Sequence, residues 1–145
     1  MKKLLVAVAA AFCLLPKPAA AQITRPIQAD IPFPFTVADT QLPAGRYRIH
    51  VVDSSDLNIM QITSADRKTT VNFLVGTATL PKLPTKTELE FHKYGDHEFL
   101  AQIFQQGELD GVQVFRSRAE SRLSKQKVSR TTHNLPVTLS DLDDD

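Results

Sequence analysis

A strictly alternating segment near the start of the chain limits the possible folds more than any other feature. Every second residue from position 27 to position 37 is apolar, namely Ile27, Ala29, Ile31, Phe33, Phe35 and Val37. A period of two is typical of a strand with one buried face. Pro32 and Pro34 have the opposite, outward parity, and proline has no N–H to donate to a neighbouring strand. The segment is therefore predicted to lie at a sheet edge or to contain a break.

Turn residues and further alternation divide the rest of the chain into short strands. Six more strands are predicted, over residues 46–53, 57–63, 70–77, 87–94, 97–105 and 112–115. The strand over 46–53 places Tyr47, Ile49 and Val51 on one face and Arg46, Arg48 and His50 on the other. Gly95 and Asp96 suit a two-residue hairpin turn, which places Lys93 opposite Glu98 as a favourable charge pair and Phe91 opposite Leu100.

The pattern changes after the last of these strands. Ser117 and Glu120 have the spacing of a capping box, and Ala119 and Leu123 form a narrow apolar stripe, so a short helix is predicted to about Val128. Together these elements predict an all-β fold that is mainly antiparallel. The architecture expected is a small β-sandwich or partly open β-barrel of about seven strands, with a short C-terminal helix.

The first 21 residues have the three parts of a secretory signal peptide. Lys2 and Lys3 precede an apolar stretch, and three alanines before Gln22 supply a cleavage site. The apolar stretch is shorter than the roughly 20 residues that span a bilayer. The protein is therefore expected to be secreted or periplasmic, with no transmembrane segment in its mature chain. Cys13, the one cysteine, would leave with the signal, so no disulfide is expected.

The remaining chain divides into one domain and a tail. Residues 22–128 are predicted to form a single β-rich domain that ends in a short basic helix, and residues 129–145 a polar, acidic, disordered tail. The whole sequence carries 17 basic and 16 acidic residues. Loss of the three signal-peptide lysines changes the formal charge from +1 to −2. An overall bias towards nucleic acid is therefore not expected.

The residues that carry catalytic or metal chemistry form no recognisable constellation. His92 and His97 flank the Gly95–Asp96 turn and point to the same sheet face, but no metal motif with fixed ligand spacing is present, and solvated histidines are the preferred interpretation. The serines occupy turn and capping positions, and no nucleophile elbow is present. An enzyme is therefore not expected, nor is any catalytic residue, cofactor or metal.

A cluster of basic residues on the predicted helix is the most distinctive surface feature. Arg118, Arg122 and Lys125 fall on one helix side, at positions i, i+4 and i+7. One interpretation is contact with an anionic envelope surface or a polysaccharide. The preferred alternative is a solvated helix face, screened by the acidic tail.

Three motifs in the sequence resemble those of a known group of proteins. They are Ile31–Val37 (IPFPFTV), Leu42–Tyr47 (LPAGRY) and Phe91–Asp96 (FHKYGD). In these motifs the chain resembles a group of small secreted bacterial β-rich proteins, over most of residues 27–125. The resemblance implies an exported β-rich domain and carries no ligand, cofactor or catalytic residue with it.

The function expected from the sequence is a non-enzymatic binding or structural role at the cell envelope. One alternative is a small apolar-ligand carrier, whose internal pocket would be lined by phenylalanines, namely Phe33, Phe35, Phe73, Phe91, Phe99 and Phe104. Those residues are more simply explained as core. A hydrolase or metal-dependent enzyme with a scattered site is the other alternative.

Overall fold

The computed structural model describes residues 23, 25–53 and 55–139, and the signal peptide expected over residues 1–21 lies outside the described residues. Eleven strands and one helix form in this part of the chain. In chain order they are β1 (Ile27–Ile31), β2 (Phe35–Val37), β3 (Thr40–Leu42), β4 (Gly45–Asp53), β5 (Asp56–Ser64), β6 (Thr70–Thr79), β7 (Glu88–Tyr94), β8 (His97–Phe104), β9 (Asp110–Val114), α1 (Arg118–Lys125), β10 (Arg130–Pro136) and β11 (Thr138–Leu139).

The strands form one mixed, mainly antiparallel sheet that is not closed. Its order is β10-β7-β8-β9-β6-β5-β4-β1-β11, and β2 joins it beside β8 through one parallel pairing, with β3 on the other side of β2. The predicted all-β class is therefore confirmed. The predicted number of about seven strands is wrong.

The proline-rich segment accounts for part of the difference in strand number. The alternating segment breaks between Ile31 and Phe35, so one predicted strand becomes β1 and β2. Pro32 and Pro34 lie in the break and are exposed, as their parity predicts, whereas Phe35 is fully buried. The chain leaves β4 and β11, the neighbours of β1, and continues beside β8. The prolines thus separate two strands that pair with different parts of the sheet.

The segment after the helix corrects a second expectation. Residues 130–139, predicted to be disordered, form β10 and β11, separated only by Val137. β10 pairs with β7 at one end of the strand order, and β11 pairs with β1 at the other end. This short stretch of chain therefore contacts both ends of the sheet. The acidic residues 140–145 lie outside the described residues.

Aromatic side chains fill the interior between the strands. Phe35 packs edge-to-face against Tyr47 and Phe91, with ring centroids 5.2 and 5.8 Å apart, and Phe33 packs against Phe91 at 5.1 Å. Phe35 and Phe91 are about 1% exposed or less. Edge-to-face contacts of this kind add roughly 0.5–1.5 kcal/mol per pair beyond area burial. These rings are part of the packed core.

The helix begins where the sequence predicts and ends earlier. The Ser117 hydroxyl caps α1 by accepting a hydrogen bond from the Glu120 N–H at 3.0 Å, as expected for Ser117 in a capping box. The helix ends at Lys125 rather than near Val128. Its buried residue is Glu120, whereas Ala119 is exposed, so the predicted apolar stripe does not define the inner face. No helix within the described ranges is both long and apolar enough to cross a bilayer.

Gly111 is predicted to tolerate no side chain, because β8 and β9 approach closely there. A Cβ at this position would lie 2.7 Å from the backbone oxygen of Ile103, and closer still to the Phe104 ring. We expect Gly111→Ala to destabilise the protein by about 1–3 kcal/mol, the usual range for overpacking. Urea unfolding followed by circular dichroism measures the change.

Gly76→Ala provides the matched control within β6. The nearest atom to a Cβ at Gly76 belongs to the Phe115 ring, at 3.3 Å, and that side chain is 57% exposed and can rotate away. We expect a change below about 1 kcal/mol at this position. Equal losses of stability in the two variants would show that strand approach at Gly111 is not the constraint.

Candidate binding site on the outer face of the sheet

A polar groove of about 690 Å³ crosses the outer face of β1, β4 and β5 and the turn before β6. We call it the basic groove and define it by six of the residues that line it: Arg46, Arg48, His50, Gln61, Thr63 and Arg67. Neither the helix nor the phenylalanine core contributes to it. Three of the six, Arg46, Arg48 and His50, belong to a strand face that the sequence analysis described but did not select as a site.

Strand alternation explains why these side chains meet. On β4 the residues Tyr47 and Ile49 turn inward and are buried, which leaves Arg46, Arg48 and His50 on the solvent side. Antiparallel pairing with β5 sets Arg48 opposite Thr63 and His50 opposite Gln61. Residues that are directly opposite share a sheet face and lie about 5 Å apart. Two neighbouring strands therefore build one polar surface.

Hydrogen bonds between side chains order the floor of the basic groove. Gln61 Nε2 donates to Asn72 Oδ1 at 2.9 Å, and the Thr63 hydroxyl lies 3.4 Å from Gln61 Oε1 and 3.3 Å from the Thr70 hydroxyl. These contacts link β5 to β6 across the outer face. Amide and hydroxyl groups held in this way offer both donors and acceptors to a ligand.

The surroundings of Arg46 and His50 change their pKa values in opposite directions. Arg46 Nε donates to Asp30 Oδ1 at 2.9 Å, and this hydrogen bond and the carboxylate charge raise the pKa of Arg46. Burial and then the charge of Arg48 lower the pKa of His50 from its usual 6.5. The Nδ1 atom of His50 is buried and has no hydrogen-bond partner among the described residues.

The turn between β5 and β6 presents the third arginine. Arg67 lies in this turn with a positive φ of 58°, and its side chain is exposed. The neighbouring Asp66 is held inside the turn, since it accepts hydrogen bonds from the Ser64 hydroxyl at 2.5 Å and from the Lys68 N–H at 3.1 Å. These contacts lower the pKa of Asp66. Three guanidinium groups thus border the basic groove, near the carboxylates of Asp30 and Asp66.

The predicted anionic-contact residues lie elsewhere, on the exposed side of α1. Arg118, Arg122 and Lys125 are exposed and lie on the side of the helix opposite the buried Glu120. The Arg118 side chain is 88% exposed, and its Nε lies 3.7 Å from Asp39 Oδ2. The structure therefore brings the three together on one helix face. Their contact with an anionic surface stays a prediction.

The inner side of α1 carries a buried carboxylate that the sequence analysis assigned only to capping. Glu120 is 2% exposed, and its Oε1 lies 2.7 Å from His92 Nδ1 and accepts a hydrogen bond from the Tyr94 hydroxyl at 3.4 Å. Arg116 Nε is 4.0 Å from the same oxygen. We call these four residues the Glu120 cluster. It fastens α1 to the outer face of β7.

The histidines considered as metal ligands do not converge. The predicted hairpin register is confirmed, with Lys93 opposite Glu98 and Phe91 opposite Leu100. His92 joins the Glu120 cluster, whereas His97 is exposed. The described part of the chain contains no group of three or more histidine, cysteine or acidic side chains that could hold a metal ion.

A second buried carboxylate lies in the same hairpin. Glu98 is 6% exposed, and its Oε1 lies 3.3 Å from His133 Nδ1 on β10 and 3.8 Å from Lys93 Nζ. The His133 ring packs against Phe33 with centroids 4.9 Å apart. This group ties β10 to β8 across β7, and a structural role accounts for its contacts.

Comparisons with known proteins assign no role to the site, so its chemistry is inferred from its own residues. No protein-family model matches the sequence, and neither a curated protein nor a solved structure matches it.

The Glu120 cluster predicts a stability effect. Glu120→Ala would leave His92 and Tyr94 without their carboxylate partner beneath the helix, and an unsatisfied buried polar group costs about 1–3 kcal/mol. We expect a loss of that size in chemical unfolding. Glu108→Ala is the control, because Glu108 is exposed in the loop before β9 and should change stability by less than about 0.5 kcal/mol. Similar losses in both variants would contradict this role.

Proposed function

We propose that this protein is a non-enzymatic, exported binding domain that holds an acidic polysaccharide of the cell envelope in the basic groove. The observation that carries the proposal is the groove itself, a concave surface bordered by Arg46, Arg48 and Arg67. The proposed export and the secreted or periplasmic location rest on the signal-peptide pattern of residues 1–21.

The side chains of the basic groove favour a charged polysaccharide over a neutral one. A guanidinium group binds a carboxylate through two parallel hydrogen bonds, whereas Gln61 and Thr63 can exchange hydrogen bonds with sugar hydroxyls. Tyr47 lines the groove, but its hydroxyl donates to the Pro43 carbonyl at 2.7 Å and the residue is only 3% exposed. Its ring is thus not presented as a flat platform for a sugar. Affinity would come mainly from charge and hydrogen bonding.

The two alternative functions have less support. An apolar-ligand carrier needs an internal cavity lined by aromatic residues, but Phe35 and Phe91 pack directly against each other and against Tyr47 or Phe33. An enzyme needs polar groups that converge where a substrate can reach them. The closest arrangement within the described residues is the Glu120 cluster, whose carboxylate is covered by α1.

Removal of exposed charges from the basic groove tests the proposal. Arg46→Gln combined with Arg67→Gln should weaken binding of alginate oligosaccharides about tenfold at low salt, because each substitution removes one charged contact with the polysaccharide. Isothermal titration calorimetry measures the affinity. Binding by the unmodified protein should also fall steeply as salt rises, since the Debye length is about 8 Å at physiological ionic strength.

The matched control removes the same amount of charge from the helix. Arg122→Gln combined with Lys125→Gln changes two exposed residues of α1 and should leave alginate affinity within about twofold of the unmodified protein. If the helix variant loses affinity and the groove variant keeps it, the helix face is the binding surface. If the unmodified protein does not bind alginate or another acidic polysaccharide, the proposed function is wrong.

The lowered pKa of His50 leads to a prediction for the pH dependence of binding. Its pKa is lowered from 6.5, so the ring is neutral at pH 7 and gains a charge only as the pH falls further below 6.5. Anion binding should therefore tighten as the pH falls below 6.5, while the ligand-free protein loses stability, because the unfolded chain takes up this proton more readily. Binding titrations across this range measure the effect. His50→Gln should reduce it, and an unchanged pH profile in that variant would contradict the assignment.

A further inference from the structure

We propose that the acidic segment 140–145 binds in the basic groove of its own molecule and competes there with an external polyanion. Four of its six residues are aspartates, namely Asp141, Asp143, Asp144 and Asp145. The binding of this segment is independent of the proposed function. Only the competition rests on the proposed function.

The position where β11 ends is the first argument. Leu139 pairs with Ile27 and Thr138 pairs with Gln28, so the last described residue lies beside the start of β1. Gln28 and Pro26 both line the groove. Because β11 runs antiparallel to β1, its end at Leu139 is directed towards Pro26. The acidic segment therefore follows in sequence directly after a residue at the rim of the groove.

The length of the segment is the second argument. Only β1 separates β11 from β4, which carries Arg46, Arg48 and His50. Adjacent strands are about 4.8 Å apart, so the distance from β11 to β4 is roughly 10 Å. Six residues can span up to about 20 Å when extended. The aspartates can thus reach across the end of β1 to the arginines without any change in the described strands.

Charge is the third argument. The groove presents three guanidinium groups, and the one on Arg46 contacts Asp30. The segment presents four carboxylates within five residues. Carboxylates are also the groups that the proposed polysaccharide would place there. The segment and the ligand therefore have the same chemistry, which makes them competitors.

The basic face of α1 is a less suitable partner for the segment. β10 begins at Arg130, soon after α1 ends at Lys125, and its seven residues carry the chain roughly 23 Å away along the strand. β11 then pairs with β1, and β1 lies beside β4, which carries Arg46 and Arg48 of the groove. The segment thus begins beside the groove and far along the chain from the helix.

The test replaces the four aspartates with asparagine in the full chain, which removes the charge and keeps the length. Arginine side-chain NMR signals report the groove directly, without any ligand. We expect the Nε–H signals of Arg46 and Arg67 to shift between the two proteins at low salt, whereas the Arg122 signal on α1 stays constant. Alginate affinity should rise about three- to tenfold in the variant, because a short tether gives the segment a millimolar effective concentration.

The possible outcomes distinguish docking of the acidic segment from the proposed polysaccharide-binding function. Shifted groove signals with no alginate binding by either protein would support segment docking and refute the proposed function. Alginate binding that is equal in both proteins, with constant groove signals, would support the proposed function and overturn the docking. Shifts at Arg122 instead of the groove would place the segment on α1 and overturn it as well. Groove shifts that grow with protein concentration would assign the segment to a second copy of the chain and overturn binding within one molecule.

Discussion

The architecture depends on β6, which belongs to both halves of the sheet. Its first half, residues 70–74, pairs with β5, and its second half, residues 75–79, pairs with β9. Because one continuous strand serves both halves, the sheet can fold over a single core that contains Phe73 and Val75 from this strand. The described chain contains no cysteine, so hydrogen bonding and packing of this kind hold the two halves together.

The two outer faces of the sheet have different surroundings, and this difference separates stability from binding. The face that carries His92 and Tyr94 is covered by α1, which buries Glu120 in a network of polar contacts. The face of β4 and β5 has no helix above it among the described elements, and its polar side chains line an open groove. A covered face can hold buried polar groups, whereas an open one can exchange its water for a ligand.

The sequence predicted local features well where alternation and turn chemistry agree. The β7–β8 hairpin has the predicted register because the Lys93–Glu98 pair and the turn residues favour the same alignment. The last strands were missed, although His133, Leu135, Val137 and Leu139 alternate through them and are half-buried. Exposed residues between them and the acidic end of the chain favoured the disordered interpretation. β10 is an edge strand, so its residues need little apolar character.

The amino-acid sequence alone is enough to predict the strand periodicity, the proline break, the helix start at Ser117 and the outward parity of Arg46, Arg48 and His50. These are local properties, since they depend on backbone sterics and on which residues must be buried. Three arrangements are visible only in the folded protein: β4 lies beside β5 and β1, Arg67 joins their outer face, and Glu120 turns inward to His92. Such contacts join residues that are distant in sequence, and their geometry follows from how the whole sheet twists and folds over its core.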